Sequence, residues 1–530
     1  MEIGNSKLVE SQHDCDNNSP FDKSKAKKNV LISIVFKIVL LILSLVARRF
    51  LIKYAGNDYN GLNSLYTSVI GFLAIADLGI GTAIIYCMYE PIANGNKIKV
   101  RQLYTLFKRI YFVIGVIVLI IGGCITFFLP FLAKGYEANS TLYISYLLSL
   151  LAVIITYFYS AKMSLINAYK ENYITTTITS LGLILQYILQ IVLLIITKSF
   201  ITYCTCKVIG SLIQYLIFSL YNKYKDITAG NEKIDIETKN IVTKNVKAMF
   251  MHKIGDVIFG TVDSLVISSV IGVVILGYYS NYLVILTSMN EVLKLFIVPL
   301  TSILGHMGVK ASNEEKQSYF NFFYCINFIL GIVFYLGYFA ISKDLVTIFF
   351  GEGLELDKSL IIVLTITYFI QFMRQSASVF KDSFGLFYKD RWLAFIASIV
   401  NAGLSIGLAY AFGVYGVLVA TIIVDLFMYH IVEPYILFKY GFGKKATKYY
   451  FINYSLIALF AIEIIFFSFI EYNIKNVYLD LLAIGFTSIG INFVPVLLVF
   501  LQKDFRNKTL TKLPIDKIKS MFASRGRGTK

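Results

Sequence analysis

Lys37 and Arg48 stand eleven residues apart in a stretch that is otherwise almost wholly apolar. On an α-helix, at about 100° per residue, they fall about 20° apart and make a cationic stripe along one face, and Arg49 follows on the adjoining face. Arginine meets phosphate or carboxylate oxygens in pairs, so such a stripe suits an anion. The bland alternative for Arg48 and Arg49 is snorkelling to lipid headgroups. Other charges interrupt apolar runs in the same way. They are Asp77, Lys253 with Asp256 and Asp263, Glu291 with Lys294, Arg374 between Gln371 and Gln375, Asp425 and Glu463. A charge at the centre of a membrane helix costs about 2.5–3.5 kcal/mol on insertion scales, so each is expected to face protein or a water-filled interior. Lys253, Lys294 and Arg374 therefore join Lys37, Arg48 and Arg49 as candidate anion contacts in a cationic cavity. Asp77, Asp256, Asp263, Glu291 and Asp425 are candidates for pairing between halves of the molecule or for coupling to a cation, H+ or Na+.

The elements that must position these groups follow from composition. The chain has 530 residues, 57% hydrophobic and 15% charged, with mean hydropathy +0.70, against roughly 25% charged in an ordinary soluble domain. About fourteen apolar segments long enough to span a bilayer start near residues 30, 61, 109, 141, 174, 199, 250, 277, 320, 360, 391, 414, 449 and 478. This pattern excludes a single anchor on a globular enzyme. The net charge of +17 does not point to nucleic acid, because Lys and Arg gather in connections and tails rather than on one soluble face. Lys97, Lys99 and Arg101 follow the second segment, Lys223 to Lys247 the sixth, Lys439 to Lys448 the twelfth, and the tail from Lys503 is basic. That asymmetry predicts both termini to be cytoplasmic. Arg48, Arg49 and Lys53 then sit at the outer end of the first segment, against the rule, and need a structural reason. The longest outer connection runs from about Ser342 to Ser359. Residues 1–29 hold no apolar core, so no cleaved signal is expected. Six cysteines lack metal-ligand spacing and read as buried thiols. No metal, nucleophile or phosphate-cradling motif is present, and four histidines leave acid/base chemistry thin.

Displaced by 216 residues, the sequence meets itself: Lys28-Asn29-Val30 falls on Lys244-Asn245-Val246 without a gap. The same offset pairs Lys37 with Lys253, Gly56 with Gly272, Gly61 with Gly277, Ser64 with Ser280 and Tyr66 with Tyr282. An even number of spans separates the copies, so they form a parallel repeat with any substrate site at the interface. The predicted fold is an all-α polytopic membrane protein of two pseudo-symmetric six-helix lobes plus two C-terminal helices. Its parts are a disordered cytoplasmic tail (1–29), the first lobe (30–221), a cytoplasmic linker (222–249), the second lobe (250–438), two further spans (449–501) and a basic cytoplasmic tail (502–530). Tyr157-Phe158-Tyr159 fits either a glycan path or an interfacial belt.

Three segments carry a family resemblance. Gly61-Leu62-Asn63 with Ala74-Ile75-Ala76-Asp77-Leu78-Gly79-Ile80-Gly81 and Tyr89-Glu90-Pro91 is the first. The second is His252-Lys253-Ile254-Gly255-Asp256 with Asp263 and Gly277-Tyr278-Tyr279-Ser280-Asn281-Tyr282. The third runs from Met373-Arg374 through Phe380-Lys381-Asp382 to Asp390-Arg391, Gly413-Val414-Tyr415-Gly416 and Glu433-Pro434. Together they resemble the Wzx-type polysaccharide flippases of the multidrug/oligosaccharidyl-lipid/polysaccharide exporter superfamily. The resemblance implies two lobes around a cavity of alternating access in the bacterial cytoplasmic membrane. Its cargo would be a polyprenyl-diphosphate-linked glycan, delivered for capsule, exopolysaccharide or cell-wall polymer assembly. Arg49 matches the family's first-helix Arg, and Asp77 its acidic residue before Leu-Gly-Ile-Gly. Thr301-Ser302-Ile303-Leu304-Gly305-His306 departs from the family's pattern. Glycosyltransferases and a polysaccharide polymerase are the partners implied, with no cofactor beyond a coupling ion.

Two other readings compete. A cation-coupled multidrug exporter of the same superfamily would prefer a less cationic cavity. A membrane polymerase or glycosyltransferase would carry a sizeable outer loop, and none is expected here.

Overall fold

The computed structural model describes residues 23–74, 80–229, 257 and 259–469, and the described residues form helices without strands. Asp77, Lys253, Asp256, the basic linker from 230 and the fourteenth span lie outside the described residues. The helices are α1 (Lys23–Tyr54), α2 (Asn57–Leu73), α3 (Ile80–Ala93), α4 (Lys97–Ile125, continued by short turns to Leu132), α5 (Ser140–Ala168), α6 (Asn172–Thr197) and α7 (Phe200–Leu220). After the linker come α8 (Phe259–Ile271), α9 (Val273–Lys310), α10 (Asn313–Phe350), α11 (Lys358–Ser383), α12 (Leu393–Phe412), α13 (Val414–Phe442) and α14 (Thr447–Ser468). Nine of the described helices are long and apolar enough to cross a membrane. Apolar side chains point outward along them, Ile196, Leu220 and Phe451 being 70, 75 and 77% exposed. Only a hydrocarbon surround makes such a surface stable. The protein is a polytopic integral membrane protein.

Local chemistry sets several boundaries. The Asn96 side chain accepts from Lys99 N at 3.0 Å to start α4, and Asn139 accepts from Leu142 N at 3.1 Å to start α5. Ser312 and Glu315 form a reciprocal capping box at the head of α10. At 38 residues each, α9 and α10 are about 57 Å long, against a hydrocarbon core of about 30 Å. They project beyond the bilayer on the predicted inner face. At its outer end α10 does not stop near Ser342 as the sequence pattern expects. The apolar run through Phe350 keeps it helical until Gly351, so the outer connection shrinks to residues 351–357. α13 passes through two π-helical turns, Asp425–Tyr429 and Leu437–Phe442, on either side of Pro434. The proline lacks the N–H that a regular ladder needs.

The same neighbour relations occur twice. α5 packs on α7 as α11 does on α13, α6 on α7 as α12 on α13, α4 on α5 as α10 on α11, and α1 on α6 as the end of α8 on α12. Contacts between the lobes are paired too: α1 meets α10, and the Leu129–Leu132 end of α4 meets Ile267–Ile271 of α8. α2 crosses its own counterpart, α9, on the pseudo-twofold axis. Gly56 and Gly272 make the turns into α2 and α9 at φ +116° and +153°, a region open to glycine. At the crossing, a Cβ on Gly61 would lie 2.0 Å from the Val273 carbonyl oxygen, and one on Gly277 2.7 Å from that of Asn57. Val273 is to Asn57 what Gly277 is to Gly61, so the close approach obeys the offset of 216. α14 belongs to the second lobe's flank, where Phe460 stacks on Phe369 with ring centroids 3.7 Å apart. Tyr157 and Tyr159 are buried against Tyr111 and Phe218, which places them in the first lobe's core rather than along a path.

Candidate functional site: the cleft between the lobes

The lobes are laced together at the predicted outer face. Asn60 Nδ2 donates to the Gly277 carbonyl and to Asn281 Oδ1, both at 3.0 Å. Ser268 Oγ donates to the Leu132 carbonyl at 2.6 Å, and Val273 N to that of Lys134 at 3.0 Å. Arg48 and Arg49 take part here, which is the reason they stand at the outer end of α1. Arg48 donates to Ser64 Oγ at 3.2 Å and Ser280 Oγ at 2.5 Å, and these serines are equivalents in the repeat. Arg49 donates to the Ile348 carbonyl at 2.5 Å.

Deeper in the bundle, Lys37 Nζ lies 2.6 Å from Glu291 Oε2, and Lys294 Nζ 2.8 Å from Glu291 Oε1. All three side chains are roughly half exposed. Lys37 precedes the end of α1 by seventeen residues, about 25 Å at 1.5 Å per residue. The cationic stripe is thus real as geometry: both of its ends, Lys37 and Arg48, face the second lobe.

A third group lies inside the second lobe. Arg374 and Glu433 form a bidentate pair, with Nε to Oε2 and Nη2 to Oε1 both at 3.0 Å, and the guanidinium sits 3.4 Å from the Tyr429 ring centroid. Lys381 bonds Asp390 and lies 3.2 Å from Glu433 Oε1. A cavity of about 60 Å³ opens beside Arg374, Lys381, Asp382, Asp390, Arg391 and Glu433. Its charges of either sign balance, so it is internally neutralised, and Arg374 is committed to Glu433. Glu433 and Lys381 were legible only as parts of a family segment, since each lies near a span end where charge is ordinary.

A fourth group is polar without being paired. Thr421 Oγ1 lies 3.2 Å from both carboxylate oxygens of Asp263, and Asn401 Nδ2 donates to Thr421 Oγ1 at 3.0 Å. Asn401 Oδ1 and, one turn on, Ser405 Oγ are buried without a hydrogen-bond partner. Asp263 thus pairs within its own lobe rather than between lobes. Asp425 is fully buried in the first π turn of α13. Glu463 lies on α14 with Oε2 unbonded, outside these groups. Oxygen donors of this kind could hold a small hard cation or a proton. Among the described residues no cluster of His, Cys, Asp and Glu could hold a transition metal.

Lys207 on α7 escaped the sequence reading, although it interrupts an apolar run by the same criterion that singled out Lys37. Its Nζ lies 2.6 Å from Asn63 Oδ1. Among the described residues of the first lobe, the carboxylates Asp58, Glu90, Glu137 and Glu171 all lie in end turns or connections.

No protein-family model and no curated protein sequence matches the chain. Among solved structures, its fold is similar to that of lipid II flippase MurJ in an inward closed conformation, with a TM-score of 0.64 at 17% identity, covering 88% of this chain and 100% of that one. It is similar to an inward-facing multidrug resistance MATE family transporter of the MOP superfamily, with a TM-score of 0.63 at 15% identity, covering 81% and 98%. A point mutant of the Vibrio cholerae MATE transporter VcmN gives 0.53 at 12% identity, covering 77% and 95%. These likenesses, at 12–17% identity, establish the fold alone.

Proposed function

We propose that the protein is a flippase that moves polyprenyl-diphosphate-linked oligosaccharides across the bacterial cytoplasmic membrane by alternating access, for capsule, exopolysaccharide or cell-wall polysaccharide assembly. Both termini are cytoplasmic in this reading, and the lobes 30–221 and 250–438 rock about the crossing of α2 and α9. The observation that carries it is the polarity of the first lobe: Lys37, Arg48, Arg49 and Lys207 project from its membrane-spanning helices, while its described carboxylates stay at helix ends. Such a wall attracts an anionic head group and repels a cationic drug. The diphosphate would engage Lys37 and Lys294 while the prenyl tail stays in lipid, and loss of the Lys37–Glu291 bridge would accompany cargo entry. Asp263, Thr421, Asn401 and Ser405 would hold the coupling ion, H+ or Na+. Glycosyltransferases would supply the cargo and a polymerase would consume it.

The multidrug-exporter reading draws on Asp263 and Asp425, carboxylates that would suit a cationic cargo. One assay separates the two. Liposomes containing the protein and a labelled polyprenyl-diphosphate oligosaccharide are exposed to an external glycan-cleaving enzyme. Protein-dependent cleavage of the inner-leaflet label, with glycan length unchanged, supports flipping. Export of a lipophilic cation without any such cleavage overturns it, and growth of the glycan would make the protein a polymerase.

A further inference from the structure

The offset of 216 that relates the lobes carries Lys223 and Tyr224, just beyond α7, onto Lys439 and Tyr440 at the end of α13. In the first lobe a carboxylate closes this pair. Glu171, buried between α5 and α6, is bonded by Lys223 and accepts from Tyr224 Oη at 2.8 Å, and Lys223 Nζ lies 5.6 Å from the Tyr224 ring centroid. In the second lobe the sequence has Phe387 where Glu171 would fall, and Lys439 meets only hydroxyl and ring. Its Nζ donates to Tyr435 Oη at 2.7 Å and lies 5.4 Å from the Tyr440 ring centroid. A second cation joins the same ring. Lys389, in the connection from α11 to α12, has its Nζ 3.9 Å from the Tyr440 centroid and 5.1 Å from that of Tyr388. Tyr440 therefore holds two ammonium groups as one cluster.

Among the described residues no carboxylate lies within ion-pair distance of either lysine. The carboxylates nearby in sequence are spent inside the lobe, Asp390 on Lys381 and Glu433 on Arg374 and Lys381. Lys389 and Lys439 are both exposed. A tyrosine ring orients an ammonium group without neutralising it, so the cluster keeps two positive charges where the first lobe has none to spare.

Its surroundings are those of a membrane surface. Tyr388, Tyr435, Tyr440 and Trp392, the chain's single tryptophan, are exposed on the same connection and helix end, as aromatic side chains are at the level of lipid head groups. From Lys439 an apolar lane leads back along α13 into the bilayer: Tyr435, Ile431 and Phe427, four residues apart in succession, are all exposed. Side chains so spaced follow one face of a helix. The lane from Phe427 to Lys439 is about 18 Å long, slightly more than half of the hydrocarbon core. The positive-inside bias accounts for lysines on this face, but it asks neither for two on one ring nor for a lane of acyl-chain length beneath them.

We infer that Lys389 and Lys439 bind the phosphate of an anionic phospholipid of the inner leaflet, with an acyl chain laid along Tyr435, Ile431 and Phe427. The bound lipid ties the connection from α11 to the end of α13. The inference is independent of the flippase reading, since it does not involve what the protein carries.

The test uses the full chain in a neutral detergent, with phosphatidylglycerol and phosphatidylcholine of identical acyl chains as probes and bound lipid counted by native mass spectrometry. The wild-type protein should hold phosphatidylglycerol at least about tenfold more tightly than phosphatidylcholine. Lys389→Gln with Lys439→Gln should abolish that preference and leave phosphatidylcholine binding unchanged, whereas Lys389→Arg with Lys439→Arg should retain it. Lys445→Gln with Lys448→Gln removes the same charge from exposed positions beyond α13 and should leave the preference intact. Equal loss in the two Gln pairs overturns the inference in favour of general attraction to a basic face. Equal affinity of the wild type for both lipids also overturns it, as does displacement of phosphatidylglycerol by millimolar inorganic phosphate, which would assign the cluster to a soluble anion. Should the double Gln variant fail to fold, Lys389→Gln alone is read the same way.

Discussion

Lys37 Nζ and Glu291 Oε2 meet at 2.6 Å across 254 residues of sequence, tying the first helix of one lobe to the second helix of the other. Lys294 completes the group at 2.8 Å from the same carboxylate. The bridge lies deep in the cleft, where opening and closing would make and break it. Since its members are about half exposed, the pair adds little to stability, under about 1 kcal/mol. Lys37→Ala and Glu291→Gln should therefore unfold at close to the wild-type temperature while lowering protein-dependent flipping about tenfold, equivalent to about 1.4 kcal/mol in the rate-limiting barrier. The exchange Lys37→Glu with Glu291→Lys should restore the bridge without restoring full transport. Flipping rates and thermal unfolding midpoints on the same preparations check both points.

Gly61→Ala and Gly277→Ala should loosen the outer seam. Each places a methyl group against backbone oxygen of the opposing helix, at 2.0 and 2.7 Å before relaxation, and overpacking of this kind costs about 1–3 kcal/mol. Backbone cannot swing aside as a side chain does, so α2 and α9 must separate. A cysteine introduced at Ser64, beneath the crossing, should then react faster with a membrane-impermeant thiol reagent added at the outer face than it does in the parent. Unchanged labelling would mean that the crossing is not the seal.

Asp263→Asn and Thr421→Val should remove the response of flipping to an imposed ion gradient. Thr421→Val keeps the shape of the side chain and deletes the hydroxyl that lies 3.2 Å from both Asp263 oxygens. Flipping measured in proteoliposomes under separate Na+ and pH gradients should depend on one of the two in the wild type and on neither in the variants. A gradient response that survives both substitutions places the coupling ion elsewhere.

Glu433 is buried between Arg374 and Lys381. Glu433→Gln leaves two cations inside the second lobe with one carboxylate fewer, and should destabilise the protein by about 3–5 kcal/mol. Replacing the bidentate pair together, Arg374→Met with Glu433→Leu, should recover much of that loss, because Lys381 keeps Asp390 as its partner and no cation is left with its carboxylate removed. Thermal unfolding in one detergent compares the three proteins. Equal destabilisation by the single and double changes would show that the packing of these side chains, rather than their charge, holds the lobe.

The sequence by itself determined the solvent, the spans and the repeat. Long apolar runs can be stable only in hydrocarbon, and most of the fourteen expected starts fall on or beside described helices. The offset of 216 was legible because Gly56, Gly61 and Ser64 recur without a gap as Gly272, Gly277 and Ser280, and turns and close crossings tolerate few other residues. It also marked Lys37, Arg48 and Glu291 as charges needing partners. Which partners they found was decided by tertiary structure alone. On sequence grounds Asp256, Asp263 and Glu291 were alike candidates for pairing between halves or for coupling to a cation, yet Glu291 reaches across to Lys37 while Asp263 bonds Thr421 in its own lobe. In water, an amphipathic pattern tells which face of a helix turns inward. In a bilayer, lipid and neighbouring helix are both apolar, so the rotation of a helix is set by packing rather than by hydrophobic pattern. That is why Lys207, one lysine in an apolar helix, gave no sign from its spacing that it would meet Asn63 of α2.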